Sequence, residues 1–94
     1  MEYILTFKTT NFAIKAEQCL LEKALQVGVI PLPTKLSAGC GLSLRIKPEE
    51  IRQALSALSE QSIPMTGLYT RVSENNSFSY TEVADEDILF SPGT

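Results

Sequence analysis

The chain has 94 residues, enough for one domain and too few for two, and 44% of them are apolar, so a small core is expected. It holds no histidine and no Cys-x-x-Cys, which excludes Ser-His and Cys-His catalytic pairs and removes the main support for zinc-binding and thioredoxin-type readings. The formal charge of −3 is uneven: residues 1–72 are near neutral, residues 73–94 carry five acids and no base, and neither part has the basic patch that nucleic acid requires.

Glu2 to Lys8 alternates Tyr3, Leu5 and Phe7 against Ile4 and Thr6. That pattern predicts a strand apolar on both faces, hence a central one. Thr9, Thr10 and Asn11 offer N-cap residues, and a helix is expected over 11–27, stopped by Gly28. Phe12, Ala13, Ala16, Leu20, Ala24 and Val27 share one broad face, with Cys19 at its edge. Ile14, Leu21 and Leu25 either widen that face or form a contact stripe for a second copy of the chain. Val29 to Pro33 reads as a short extended segment, held to a sheet edge by its two prolines.

After a polar loop over 34–39, Cys40 to Lys47 alternates as a strand. Pro48, Glu49 and Glu50 open a second helix, whose buried stripe is Ile51, Ala54, Leu55 and Leu58 and which Pro64 ends. Leu68 to Val72 is the fourth strand. The order βαββαβ predicts an α+β, ferredoxin-like sandwich, with a four-stranded antiparallel sheet and two helices on one face.

Residues 1–72 are expected to form that domain, and residues 73–94 an acidic C-terminal extension, free to move. Residues 73–77 read as a loop. Phe78 and Tyr80 are able to pair briefly with the sheet, and 84–90 to form a helical turn. The acids of the extension have Arg45 and Arg71 as candidate partners. No apolar run reaches the eighteen residues of a membrane span, and Met1 to Lys8 does not resemble a signal peptide, so a cytoplasmic protein with reduced thiols is expected. No cofactor and no metal site is expected.

The candidate for chemistry is Cys40. In a sheet of order 4-1-3-2, the start of strand three lies beside the start of helix one. Cys40 is therefore expected near Thr10 and Asn11, where free backbone N–H groups and the helix dipole favour an anion such as a thiolate. Gly39 and Gly41 remove a Cβ on either side, allowing close approach by another protein or an unusual backbone angle. Lys35 in the preceding loop is placed to add positive charge. Cys40 also has the parity of Leu42, Leu44 and Ile46, so a buried core role stands beside the reactive one. Cys19, mid-helix, reads as structural. Its separation along the helix argues against a disulfide with Cys40.

Three segments carry a resemblance: Glu2 to Phe7, Ala13 to Glu17, and above all Val29-Ile30-Pro31-Leu32-Pro33 followed by Ser37-Ala38-Gly39-Cys40-Gly41-Leu42-Ser43-Leu44-Arg45. Over about residues 1–72 the chain resembles the selenium/sulfur carrier-like family of small bacterial proteins. Gly39 departs from the small or hydroxyl residue common before the cysteine, and the acidic extension lies outside the family pattern. The resemblance implies that Cys40 accepts sulfur or selenium as a persulfide or selenosulfide and passes it on by thiol exchange. It further implies a cysteine desulfurase as donor and an acceptor protein to receive the atom, the chain being more carrier than self-contained enzyme. The alternative is a non-catalytic ferredoxin-like regulatory or protein-interaction module, in which Cys40 has no chemical part.

Overall fold

Strand formation begins where both faces of a segment can be buried. The computed structural model describes residues 1–84 of the chain. Strand β1 (Glu2–Thr6) lies at the centre, between β3 (Leu42–Ile46) and β4 (Gly67–Glu74), each antiparallel to it. Strand β2 (Val27–Pro31) pairs outside β3, and β5 (Ser77–Glu82) outside β4. The sheet order is β2-β3-β1-β4-β5. Helix α1 (Thr10–Glu22) follows β1, and helix α2 (Ile51–Glu60) follows β3 through a 3-10 turn over Pro48–Glu50.

The protein is thus α+β, with two helices and a five-stranded antiparallel sheet. Its first four strands keep the pairing expected of the ferredoxin-like plan. The expectation of four strands is corrected: β4 runs on through Glu74, and a two-residue turn returns the chain as β5. Asn75 and Asn76 both have left-handed φ, at 48° and 67°. Two such residues make the turn whose twist suits a hairpin, and asparagine tolerates that region better than other side chains. The expected loop over 73–77 is therefore a tight turn flanked by ladder residues. The expected helical turn over 84–90 lies, beyond Ala84, outside the described residues.

Both helices end earlier than proline and glycine positions suggest. In α1 the Ala24 N–H donates to Leu21 O and the Leu25 N–H to Leu20 O, with Ala24 at φ 61°. In α2 the Ser62 N–H donates to Ser59 O and the Ile63 N–H to Leu58 O, with Ser62 at φ 55°. Each pair of bonds is a Schellman closure that satisfies the last carbonyls, built without the usual glycine. The expected stop at Gly28 is corrected accordingly. Gly28 lies in β2 opposite Arg45, whose guanidinium occupies the space a Cβ would need.

Leu5, Phe7, Leu44, Ile46 and Leu68 line the sheet face covered by Ala13, Ala16, Leu20, Ala54, Leu55 and Leu58 of the helices. Leu25 joins this core, while Ile14 (43% exposed) and Leu21 (53%) stay on the surface. The stripe they were expected to share is split. The opposite face is buried at its centre. Ile4, Thr6 and Ser43 alternate onto that side and are fully buried. Glu2 lies there between two cations, 3.4 Å from Arg45 Nε and hydrogen-bonded to the Arg71 guanidinium. The Arg71 guanidinium also lies 4.3 Å from the centre of the Phe78 ring. Burial works against the Arg71 charge. Hydrogen bonds and charge attraction from Glu2 and Tyr80 outweigh it, so its pKa is raised above the ordinary arginine value. Within the described residues, then, the C-terminal segment meets Arg71 through aromatic side chains, and the acid that pairs Arg45 and Arg71 is Glu2.

Candidate functional site: a thiol at the base of a loop

The segment joining β2 to β3 has no repetitive structure, and its bonds define its shape. At its base the Leu32 N–H donates to Gly41 O at 2.8 Å. At its tip the Leu36 N–H donates to Pro33 O at 3.0 Å, closing a turn over Pro33, Thr34, Lys35 and Leu36. Thr34 and Lys35, the two central residues, are exposed, as suits a surface turn. Cys40 lies on the return limb, two residues before β3, in a bend where a strand residue was expected.

The Cys40 side chain is 4% exposed and touches the core, while Gly39 and Gly41 on either side are exposed. Its sulfur is not in purely apolar surroundings. The Leu42 N–H donates to Sγ at 3.2 Å, the Thr10 hydroxyl lies 3.6 Å from Sγ, and Sγ is 3.5 Å from Leu42 O. The sulfur thus accepts from the Leu42 N–H and, as a thiol, donates to Leu42 O, while the Thr10 hydroxyl is able to take either part toward it. The expected neighbour relation with the start of α1 is realised through the Thr10 hydroxyl. The backbone amides of the helix take other partners: the Ala13 N–H bonds Thr9 O, and the Phe12 N–H bonds the hydroxyl of the N-cap Thr9.

The remaining expected site residues divide. Gly39 packs on the Lys8 carbonyl so closely that a Cβ would overlap the oxygen, so the close approach is made by the chain itself. Gly41 has open space where a Cβ would stand, and neither glycine has left-handed φ. Asn11 lies exposed in the first turn of α1. Lys35 is turned away from the thiol: its Nζ donates to Phe78 O at 2.6 Å, on the far edge of the sheet. The Lys35 ammonium thus has a backbone carbonyl of β5 as its hydrogen-bond partner. Leu42 went unforeseen as a sulfur partner, since it contributes a backbone group that residue type does not reveal.

Cys19 is buried between the helices, with Sγ 3.6 Å from Ala57 O. Both thiols are free. Among the described residues no helix is long and apolar enough to cross a membrane.

Comparison with known proteins gave no match among curated proteins and none among solved structures. Residues 2–70 match a protein family described as "Putative Se/S carrier protein-like", a span holding β1, both helices, β3 and the Cys40 loop. The expected resemblance is thereby established over well more than half of the chain, and the protein belongs to this Se/S carrier-like family.

Proposed function

We propose that this protein carries sulfur, or selenium, on Cys40 and hands it to a partner. The observation that supports this reading is the setting of the sulfur: a thiol faced by the Leu42 N–H and the Thr10 hydroxyl, on a loop whose flanking residues are exposed. Cys19 lies between the two helices, where its thiol bonds the Ala57 carbonyl and no N–H is directed at the sulfur among the bonds described. Loading is thiol exchange. The Cys40 thiolate attacks the terminal sulfur of a donor persulfide, a new S–S bond forms, the donor S–S bond breaks, and the donor leaves as a thiolate. Oxidation states are conserved, so no outside oxidant is required. A selenium donor would give the corresponding selenosulfide. A cysteine desulfurase is the donor this chemistry suits, and its own residues supply the acid–base steps that a chain without histidine lacks. Free thiols fit a cytoplasmic setting.

The test is intact mass after incubation with a cysteine desulfurase and cysteine, without reductant, for wild type, Cys40→Ser and Cys19→Ser. Gain of one sulfur atom by wild type and Cys19→Ser, and none by Cys40→Ser, is the expected result. Absence of any adduct on folded wild-type protein overturns the proposal.

A second reading, a regulatory or interaction module, draws on the exposed pair Ile14 and Leu21 on the outer side of α1. It requires that Cys40→Ser leave binding unchanged and that the chain form a stable assembly through that helix, which sedimentation of wild type and Leu21→Glu would reveal.

A further inference from the structure

Two grooves between the helices are walled by ions. Lys23, Gln53 and Glu60 line one, and Lys15, Gln18 and Glu22 the other. A third groove, on the outer flank of α2, differs in kind. Its walls are Leu55, Leu58, Ile63, Pro64 and Met65 with two serines, Ser59 and Ser62, and no ionisable side chain lines it. Leu55, Ser59 and Ser62 stand three or four residues apart, so they share one stripe of the helix. That stripe is turned from Ala57, the residue whose carbonyl meets Cys19 of α1. α1 packs over β3 and β2. α2 joins β3 to β4, on either side of β1, and its outer flank therefore looks toward the β4–β5 half of the sheet.

The chain itself arrives at this groove. Just past β5 the Val83 N–H donates to Leu68 O at 2.9 Å, and the Val83 side chain packs against the same core as Ile63 and Met65. Met65 precedes Leu68 by three residues, at most about 11 Å of chain. After Ala84 the sequence continues as Asp85-Glu86-Asp87-Ile88-Leu89-Phe90, followed by Ser91 to Thr94. The six residues from Ala84 to Phe90 span up to ~20 Å, so the apolar triplet Ile88, Leu89 and Phe90 is within reach of the apolar walls. The acids before it meet no acid in the lining. Arg52 stands three residues before Leu55 and seven before Ser59, and brings a positive charge to the same flank.

We propose that the outer groove of α2 is the docking site of residues 85–94 of this chain, with Ile88, Leu89 and Phe90 against Leu55, Ile63 and Met65, and with Arg52 answering the charge of Asp85, Glu86 and Asp87. The groove begins within the part of the chain that matches the family, residues 2–70, and its occupant lies beyond that part. The inference does not depend on the chemistry of Cys40. It makes the acidic extension a cover for one helix, and another protein gains that flank only by displacing it.

The experiment is NMR of the full chain at high and low protein concentration. It reads the backbone order parameters of Ile88, Leu89 and Phe90, and the contacts of the Phe90 ring with the methyl groups of Ile63 and Met65. The expected result is order parameters above about 0.6, the level below which a backbone is flexible, and ring–methyl contacts that persist on dilution. Phe90→Ser should lower the order parameters and shift the Ile63 and Met65 methyl signals, while the Leu5 and Leu44 amides report an unchanged fold. Arg52→Glu should lower the order parameters too, more at low salt than at high salt. Order parameters below that level in the wild-type chain overturn the proposal. So do contacts that fade on dilution, because the occupant is then a second copy. Identical methyl signals in wild type and Phe90→Ser overturn it as well, since the groove then holds something other than this segment.

Discussion

Cys40 is flanked by two glycines that the same chemistry treats in opposite ways. At Gly39 a Cβ would overlap the Lys8 carbonyl oxygen, which belongs to the backbone and cannot turn aside. Gly39→Ala should therefore destabilise by ~1–3 kcal/mol, seen as a lower urea midpoint at unchanged slope. At Gly41 nothing stands within reach of a Cβ and the backbone is not left-handed. Gly41→Ala should be neutral, or stabilise by up to ~1 kcal/mol by restricting the unfolded chain. Equal losses at both positions would show that the bend is tight on both sides. Glycine on each side of a cysteine is visible in the sequence, but which one is crowded depends on where the Lys8 carbonyl comes to lie. The same holds for the thiol. Its nearness to Thr10 followed from strand order, and its burial, which parity with Leu42 and Leu44 suggested, is that of a core residue.

The elements themselves were legible where hydrophobic period and proline speak clearly. β1 is central because Ile4 and Leu5 are buried on opposite faces, as the doubled alternation implied. The start of α2 follows from Pro48 and its two glutamates. Element ends were less legible, because they rest on residues in conformations their type does not advertise. Ala24 and Ser62 occupy a left-handed position that glycine fills at lower cost. Ala24→Gly should accordingly raise stability by ~1 kcal/mol, measured as a shift of the thermal midpoint; a loss would mean that the alanine methyl packs usefully where the helix turns out. The hairpin was missed for a related reason. Asn75-Asn76 was counted with its polar neighbours as a loop, whereas two asparagines between segments rich in Thr, Val, Phe and Tyr suit a two-residue turn.

For the whole molecule, the consequence of β5 is a graded resistance to opening. β1 has a hydrogen-bonded neighbour on each side, the helices on one face, and Glu2, Arg45, Arg71 and the loop on the other. β5 has one neighbour and is exposed along nearly its whole length. Native-state amide exchange should therefore find the β1 amides exchanging only with global unfolding, and those of β5 and of the loop through smaller openings. Uniform protection would mean that hairpin, loop and core open as one unit.

The two margins of the sheet are chemically unlike. The β2 margin ends in Pro31, which has no N–H, and the chain continues through Pro33. The β5 margin, Ser77–Glu82, has no proline and carries its one charge at its last residue, Glu82. A strand from another molecule would find a continuous template on one margin and an interrupted one on the other. Growth by strand addition needs both margins, so joining of this kind would close at two molecules, head to head, and would not propagate into a fibre.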